Sequence, residues 1–382
     1  MGPSDFELVK CLGRGAVGNV YLVSLKSSGT PPLLFAMKVL NKTEMRRRVK
    51  IQHVFEELHV LELAYHPFVE KLVYSFQSAE SVYFVIEYCA GGDFSRTLQK
   101  QPKQRIFEAA AQFYASEVLL ALEYLHQMGC IYRDLKPENI LVHLSGHIML
   151  TDFDLSKFMT ALPLGPDHAN PLARRVRVDS FVGTPEYMAP EVISGQLQSE
   201  AVDWWALGIL IFEMLYGHTP FCGESLATTL GKIVRAKLKF PCKPKVSEAA
   251  KDVVRSLLER NPHKRISIEK LKAHPWFGGI ELAALLRQTP PFTPRLSCPT
   301  DTRYFTKFKP TLVDTANLNS LSLHAIDQVS DEFTGFDDVV RGPLPMASSA
   351  ADSFGPASLP VFRMIIHPQA SDYPADYPRI IQ

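Results

Sequence analysis

The chain has 382 residues, 46% hydrophobic and 21% charged, which is enough for one large bilobal unit or several compact ones. Its net charge of +1 excludes a general electrostatic attraction to nucleic acid, so we expect no nucleic-acid partner. The six cysteines include no C-x-x-C pair, which favours reduced thiols over a disulfide frame or a zinc site.

The first 88 residues are predicted to form a small, strand-rich unit. Val54, Leu58 and Leu61 are spaced by four and three residues, which predicts a helix over residues 44–64. The glycine-containing run at 89–92 is predicted to be a hinge. Apolar or alternating runs between turn residues predict five strands, over residues 6–12, 19–25, 33–39, 71–76 and 82–87.

The chain beyond this hinge is predicted to be mainly helical. After residue 277 the composition becomes proline-rich and irregular, and from about residue 342 Pro, Ser and Ala dominate, which predicts disorder. The combination of a strand-rich unit and a helical unit predicts the α+β class. The apolar spacing predicts helices over residues 109–128, 202–216, 226–234, 248–258 and 268–272.

A glycine-rich run near the N-terminus matches the pattern G-x-G-x-x-G, with Gly13, Gly15 and Gly18. Alone, this pattern also fits an ordinary turn or a dinucleotide-binding fold. A dinucleotide fingerprint opens a helix, whereas residues 19–23 continue as a strand. We therefore place the glycines at a hairpin tip, where backbone N–H groups approach phosphates and Val20 covers an adenine ring.

The polar residues of two adjacent loops form the most specific motif. One loop contains Asp134, Lys136 and Asn139, and the next contains Asp152. Each residue alone is an ordinary loop residue, but the set suits phosphoryl transfer from a nucleotide to a hydroxyl. Asp134 would accept the hydroxyl proton, Lys136 would steady the phosphate, and Asn139 and Asp152 would hold magnesium. The predicted cofactors are ATP and Mg²⁺.

The runs at 131–139 and 151–154 resemble the catalytic and magnesium-binding loops of eukaryotic protein kinases. Lys136, two residues after Asp134, follows the serine/threonine pattern, which implies transfer of the ATP γ-phosphate to Ser and Thr hydroxyls of proteins. A catalytically weak pseudokinase or scaffold is the alternative. All the motif residues are present except one glycine, which is replaced by Asp154.

The resemblance also implies the domain organisation. A bilobal kinase fold would have a small β-rich N-lobe with one regulatory helix, and a larger, mainly helical C-lobe. Features shared with the AGC group of kinases imply a C-terminal tail that wraps the small lobe. The implied units are an N-terminal segment at 1–5, the kinase domain at 6–277 (N-lobe 6–88, C-lobe 89–277), the AGC tail at 278–340 and a disordered Pro/Ser-rich tail at 341–382.

Further site residues follow from the resemblance. Lys38 would bind the α- and β-phosphates and pair with Glu57, while Glu56 is the competing neighbour. Thr184, in the peptide-positioning loop at 183–191, would contact Asp134 and Lys136. The complete nucleotide-binding set is Leu12, Gly13, Gly15, Gly18, Val20, Ala36, Lys38, Glu57, Ile86, Glu87, Asp93, Glu138 and Asp152.

Other implied roles are structural. Glu191 would form a buried ion pair with Arg265, and Asp203 would brace the catalytic-loop backbone. In the tail, the Phe-Thr-Gly-Phe run at 333–336 resembles the hydrophobic motif that docks beside the helix carrying Glu57.

The run at 146–156 is similar to the plant phototropin-like and auxin-transport kinases and to their filamentous-fungal relatives. The plant members carry a long insertion between the Asp-Phe-Asp motif and the peptide-positioning loop. The corresponding segment here, residues 157–179, is short, which indicates that this chain is a non-plant member of the group. Asp154 marks this branch. Because its side chain resists the backbone angles open to glycine, we predict that Asp154 disfavours a flipped, inactive loop.

Regulation and partners are also implied. Ser180 occupies an activation-loop phosphosite, so an upstream kinase is expected, and a phosphate there would meet Arg133 and His53. Asp337 stands where many relatives carry a tail phosphosite, and a basic residue at 46–48 would receive it.

Asp93, Glu138 and Glu213 match acidic positions that hold substrate arginines, which predicts Ser/Thr sites near Arg residues. We expect a monomer. The basic run at 174–177 is interpreted as a solvated surface, with peripheral membrane contact as the alternative. No secretory signal or membrane-spanning run is present, which predicts a cytoplasmic location, with the nucleus or the periphery of the plasma membrane as alternatives.

Overall fold

A five-stranded antiparallel sheet forms the N-terminal lobe of the computed structural model, which describes residues 2–29, 31–159, 183–278, 282–308, 331–333 and 336. Its strands run in the order β1-β2-β3-β5-β4, and all five predicted strands are confirmed within a few residues. They are β1 (Phe6–Arg14), β2 (Gly18–Leu25), β3 (Leu34–Asn41), β4 (Leu72–Gln77) and β5 (Ser81–Glu87).

The register of the three central strands gathers the predicted nucleotide-binding residues on one face. Val20 pairs with Lys38 across β2 and β3, and Ala36 pairs with Ile86 across β3 and β5. Directly opposed residues of antiparallel strands project to the same side, and so do residues two apart on one strand. The face therefore presents an apolar patch next to one ammonium group.

The predicted helix over residues 44–64 is wrong as a single element. The structure has two helices, α1 (Lys42–Arg47) and α2 (Ile51–Leu63), separated at Val49, whose φ is 55°. A β-branched residue rarely adopts this left-handed conformation, so sequence periodicity gave no sign of the break. The break starts α2 immediately after Lys50.

The C-terminal lobe is mainly helical, as predicted, and nearly every residue of its central helix is buried. None of the described helices combines the length and apolar character required to span a bilayer. The two-lobed α+β architecture is thereby confirmed. The lobe contains α3 (Phe94–Gln99), α4 (Glu108–Gln127), β6 (Cys130–Ile131), β7 (Ile140–Val142), β8 (Ile148–Leu150), β9 (Lys157–Phe158), α5 (Pro190–Ile193), α6 (Ala201–Tyr216), α7 (Leu226–Arg235), α8 (Glu248–Leu257) and α9 (Ile268–Lys272).

The hinge run at 89–92 is hydrogen-bonded to β7 and contacts the tail at Tyr304. The N–H of Gly91 donates to the carbonyl of Val142 at 2.9 Å, and the Val142 N–H donates to the Gly92 carbonyl at 2.8 Å. Gly92 has φ +70°, and a Cβ there would lie 2.5 Å from the carbonyl oxygen of Tyr304. Glycine at 92 therefore permits both the turn and the close approach of the tail.

The two aromatic residues of the tail motif dock on the N-terminal lobe, as predicted. Phe333 and Phe336 are buried, and their rings lie 6.4 and 6.1 Å from the ring of Phe55 on α2. Phe336 also contacts Phe84 of β5 at 5.4 Å between ring centres. Gln77 Nε2 donates to the carbonyls of both tail phenylalanines, at 3.3 and 3.1 Å. The tail thus packs against the helix that carries Glu57.

Candidate active site

Lys38 on β3 pairs with Glu57 on α2, which confirms the predicted partner. Its Nζ lies 2.7 and 2.9 Å from the two carboxylate oxygens of Glu57, and 3.4 Å from Asp152 Oδ1. The competing neighbour Glu56 instead faces Lys157, at 3.5 Å. Burial acts to lower the pKa of Lys38, but the carboxylates of Glu57 and Asp152 outweigh it, so the pKa is raised and the ammonium keeps its proton.

Asp134 lies at the centre of the catalytic loop with one oxygen engaged. Lys136 Nζ and Asn139 Nδ2 contact Asp134 Oδ2 at 2.6 and 2.7 Å. Asp134 Oδ1 is buried and accepts no hydrogen bond from the described residues. Burial raises the pKa of the Asp134 carboxyl, and the bonds from Lys136 and Asn139 oppose that shift. Because an unpaired buried acceptor is unfavourable, the free oxygen fits the place of a hydroxyl donor.

The backbone of this loop is strained and held from α6. Arg133 has φ 68°, in the left-handed region, which costs about 1–3 kcal/mol. The buried Asp203 accepts the N–H of Arg133 at 2.7 Å and that of Tyr132 at 2.9 Å. His126 adds a third contact to the same carboxylate, at 2.7 Å. The predicted brace by Asp203 is therefore confirmed.

The two predicted magnesium-binding residues lie on adjoining loops. The N–H of Thr151 donates to the carbonyl of Asn139 at 3.0 Å, which joins the loops directly. Asn139 is buried, whereas the Asp152 side chain is 42% exposed. Phe153, which follows Asp152, is fully buried, so it anchors the loop while the carboxylate stays accessible. An accessible carboxylate and an amide oxygen are suitable donors for Mg²⁺.

The glycine-rich hairpin leaves space that the protein itself does not fill. The Gly15 N–H donates to the Gly18 carbonyl at 2.7 Å and closes the tip. A Cβ on Gly18 would lie 1.9 Å from the Val39 carbonyl oxygen, so internal packing explains that glycine. Gly13 has no such reason, because its nearest contact would be an ordinary 3.9 Å and its φ is not positive. A glycine there fits the close approach of a phosphate.

The apolar part of the predicted nucleotide site forms one cluster next to this hairpin. Leu12, Ala36 and Ile86 belong to the buried hydrophobic core, and the half-buried Val20 packs against that core. Such a surface suits the face of a flat aromatic ring. ATP therefore fits the site on both its base and its phosphate sides.

Two predicted nucleotide-binding acids have their carboxylates engaged by other residues. Glu87 lies 3.2 Å from Lys71 and 3.3 Å from His143. Asp93 caps α3 by accepting the Arg96 N–H at 3.0 Å, and it also contacts Arg96 Nε at 2.8 Å. Neither carboxylate is freely available to a nucleotide, so a contact from Glu87 would use its backbone.

An acidic group borders the peptide-positioning loop. Glu138 is exposed, whereas Glu213 is half-buried and accepts the hydroxyl of Tyr187. Burial raises the pKa of Glu213, and the charges of Glu138 and Glu186 add to the shift. Sequence reasoning identified Glu138 and Glu213 but missed Glu186, which accepts the Thr219 hydroxyl. The three carboxylates create a negative field where an arginine side chain would be favoured.

The predicted contact of Thr184 with Asp134 and Lys136 is absent as a hydrogen bond among the described residues. Thr184 lines the same cavity as Asp134, but Lys136 is turned to the Asp134 carboxylate at 2.6 Å. The predicted pair of Glu191 and Arg265 is confirmed, with two contacts of 2.6 and 3.0 Å in full burial.

Sequence reasoning missed Glu70, which lies close enough to the pair of Lys38 and Glu57 for their charges to shift its pKa. It is 3% exposed, and the hydroxyl of Thr151 donates to its Oε1 at 2.6 Å. Burial raises the pKa of Glu70 to about 8; the Thr151 bond opposes the shift and the Glu57 charge adds to it. The available signal was an acidic residue that directly follows the apolar pair Phe68 and Val69.

The predicted phosphosite Ser180, the basic run at 174–177, Asp337 and residues 341–382 lie outside the described residues. Arg133, which was predicted to meet a phosphate on Ser180, does lie in the described part: its Nη1 is buried and makes no hydrogen bond with described residues. Arg46, one residue predicted to receive Asp337, contacts Glu332 at 2.6 Å.

Two lobes joined by a hinge, a lysine–glutamate pair and a strained loop carrying Asp134 together define a protein kinase. Residues 6–277 match the protein kinase domain family, and the chain belongs to that family. The family uses ATP and Mg²⁺, which confirms the predicted cofactors.

Among its relatives is the serine/threonine-protein kinase nrc-2 of Neurospora crassa, 45% identical over 81% of this chain and 53% of that protein. The serine/threonine-protein kinase ppk22 of Schizosaccharomyces pombe is 42% identical over 88% of this chain and 69% of that protein. Phototropin-1A of Oryza sativa subsp. japonica is 43% identical over 78% of this chain and 34% of that protein. The chain spans about half the length of nrc-2 and a third of the phototropin. The predicted resemblance to fungal and phototropin-like plant kinases is confirmed.

Proposed function

We propose that this chain is a serine/threonine protein kinase of the AGC group that transfers the γ-phosphate of ATP to Ser and Thr hydroxyls of proteins. The observation that carries the proposal is the buried Oδ1 of Asp134, which accepts no hydrogen bond within the described part of the chain, while the other oxygen is held by Lys136 and Asn139. This arrangement leaves Oδ1 available to accept a hydrogen bond from a substrate hydroxyl, and burial raises the pKa of the Asp134 carboxyl.

The proposed roles of the residues follow from their charges and positions. Asp134 orients the substrate hydroxyl and accepts its proton as that oxygen bonds to the γ-phosphorus and the bond from the γ-phosphorus to the bridging oxygen breaks, releasing ADP. Lys136, whose Nζ lies 2.6 Å from Asp134 Oδ2, steadies the transferring phosphate. Lys38, held protonated by Glu57, binds phosphate oxygens. Magnesium, when bound through Asn139 and Asp152, neutralises phosphate charge. The docked phenylalanines Phe333 and Phe336 support the AGC assignment.

The central experiment measures phosphate transfer from ATP to an arginine-containing serine peptide by the full chain with Mg²⁺. We expect magnesium-dependent transfer by the wild type and a loss of about 10²–10⁴-fold in kcat for Asp134→Asn. A wild type no more active than Asp134→Asn, with both proteins folded, would identify a pseudokinase or scaffold instead.

The substrate preference is proposed from the acidic group. Burial is the main cause of the raised pKa of Glu213, and the charges of Glu138 and Glu186 add to the shift, so the three carboxylates lie within one negative field. We propose that they bind arginine near the target Ser or Thr. A peptide library should show arginine selection that weakens in Glu138→Gln and Glu213→Gln, and selection of acidic or proline-directed sites would contradict the proposal.

Regulation is proposed through phosphorylation of Ser180 by an upstream kinase and through tail docking. Support for phosphorylation of Ser180 comes from the buried Nη1 of Arg133, which makes no hydrogen bond with the described residues, because a phosphate would satisfy it. Ser180→Ala should remain low in activity after incubation with a cell extract that activates the wild type, and phosphopeptide mapping should locate the modification.

We also propose that the protein is a monomer in the cytoplasm, with the nucleus or the periphery of the plasma membrane as alternatives. Light scattering of the purified chain and imaging of a tagged chain test these proposals.

A further inference from the structure

Asp154 occupies the position after Phe153 and contacts the N-cap residue and the first turn of α2. Its carboxylate Oδ2 lies 3.1 Å from Nζ of Lys50, 104 residues earlier in the chain. Its backbone carbonyl lies 2.6 Å from Nδ1 of His53 and accepts a hydrogen bond from that ring. A glycine at 154 would keep the backbone contact but could not form the ion pair.

The two contacts belong to one face of the helix. Lys50, His53 and Glu57 are spaced by three and four residues, so they follow one another along the same side of α2. Glu57 reaches Asp152 through Lys38, and the other two residues reach Asp154. The loop that carries Asp152 is therefore attached to α2 at three successive levels.

The ion pair also compensates for the poor start of α2. The side chain of its N-cap residue, Lys50, makes no capping hydrogen bond, and the first turn contains no acidic residue. Lys50, at the N-cap position, places a positive charge at the positive end of the helix dipole, which is unfavourable. The carboxylate of Asp154 brings the missing negative charge to this end, from a distant part of the chain.

We propose that Asp154 is a positioning residue for catalysis: its ion pair with Lys50 holds the start of α2 against the magnesium-binding loop and thereby keeps Glu57 on Lys38. This inference rests on the proposed kinase function. It assigns the aspartate a role through α2 rather than through a metal ion. The side chains of Lys50 and Asp154 are 34% and 30% exposed, so the effect is expected to be moderate.

The test is a double-mutant cycle on the full chain, with Lys50→Ala, Asp154→Ala and the double variant, after phosphatase treatment of every protein. Each single variant should lower kcat/KM for ATP by about two- to fivefold, and the double variant should lose no more than either single one. The charge-swapped variant, Lys50→Asp with Asp154→Lys, should recover part of the loss. Hydrogen exchange in residues 51–57 should quicken in the single variants.

The matched control is the pair of Lys272 and Glu123, which is similarly exposed, has a contact of 2.9 Å and lies in the other lobe. Lys272→Ala should leave kcat/KM unchanged. The magnesium concentration that gives half the maximal rate tests whether Asp154 is instead a metal ligand. It should be equal in Lys50→Ala and Asp154→Ala if Asp154 acts only through its ion pair with Lys50.

Additive losses in the cycle, or a magnesium requirement altered only in Asp154→Ala, would overturn the inference. The inference would also be overturned if the wild type is active and both single variants keep its kcat/KM for ATP and its rate of hydrogen exchange in residues 51–57. A wild type that stays inactive both after phosphatase treatment and after incubation with a cell extract would, by contrast, refute the proposed kinase function itself.

Discussion

The carboxylate of Glu57 holds the ammonium of Lys38 with both oxygens, at 2.7 and 2.9 Å, and thereby ties α2 to β3. The position of α2 is set by contacts on separate sides. Phe55 receives the tail phenylalanines, and Lys50 receives the carboxylate of Asp154. The geometry of the phosphate-binding lysine therefore depends on distant parts of the chain.

Replacing Glu57 by Gln should lower kcat/KM for ATP by at least about tenfold, because Lys38 loses its nearest counter-charge and its orientation. Steady-state kinetics with varied ATP measure the effect. Glu56→Gln is the control, since Glu56 contacts Lys157 rather than Lys38. Equal losses in the two variants would refute the assignment of the pair.

The pKa of Asp134 is raised by burial, so the rate should fall as the pH is lowered through that pKa, because the general base must be deprotonated. A profile of kcat against pH measures this acidic limb. Asp134→Asn cannot titrate at this position, so its residual rate should lack the limb. A residual rate with the same acidic limb would assign the titration to another group.

Glu70→Gln tests the buried acid of raised pKa. The pKa of about 8 in the folded state lies above the ordinary value of 4.5, so the folded protein binds the extra proton. The stability contributed by Glu70 is therefore complete below pH 4.5 and is lost as the pH rises through about 8. Glutamine imitates the protonated acid, so the variant should have a higher Tm than the wild type at pH 8.5, and the difference should shrink towards pH 5. A constant difference across this range would contradict the shift.

Arg265→Met leaves the buried carboxylate of Glu191 without its partner, which should lower the free energy of unfolding by about 3–5 kcal/mol. Chemical denaturation measures the loss. Adding Glu191→Leu to this variant should recover much of it, because no buried charge remains. The control, Arg255→Met, removes an exposed contact of 3.6 Å to Glu248 and a guanidinium contact of 5.0 Å to the ring centre of Phe240, and should lower the free energy of unfolding much less than Arg265→Met.

Phe333→Ala should release the tail from α2, lowering both Tm and kcat/KM for ATP. The buried ring is worth up to about 3–5 kcal/mol if the tail stays docked, and less if it detaches. Phe107→Ala is the control, because that ring is 90% exposed and supports neither lobe. If Phe333→Ala and Phe107→Ala both keep the Tm and the kcat/KM for ATP of the wild type, docking of the tail contributes nothing to the active site.

The catalytic loop was predictable because its chemistry is local. Asp134, Lys136 and Asn139 lie within six residues, so the chain itself keeps them close, and the structure joins all three at one oxygen. The strands were predictable for a similar reason, since alternation along a short run reports directly on burial.

The break between α1 and α2 was not predictable from periodicity. Val49 is 83% exposed, so burial of its side chain does not explain the break. Its φ of 55° ends α1, where the Lys50 N–H donates to the Met45 carbonyl at 2.9 Å. Similarly, Glu56 and Glu57 are chemically identical neighbours, and sequence spacing alone left both as candidates. The orientation of α2, set by burial of Val54 and Leu58, selects Glu57.

Residue types and their local order were sufficient to identify a phosphate-transferring loop, a glycine-rich hairpin and a two-lobed α+β chain. The partners of Asp154, Glu70 and Phe333 were decided by tertiary structure, because the contacts to Lys50, Thr151 and Phe55 join residues about 80 to about 280 positions apart. The energy of such a pair depends on its distance, burial and neighbouring charges, and those quantities exist only once the lobes have packed.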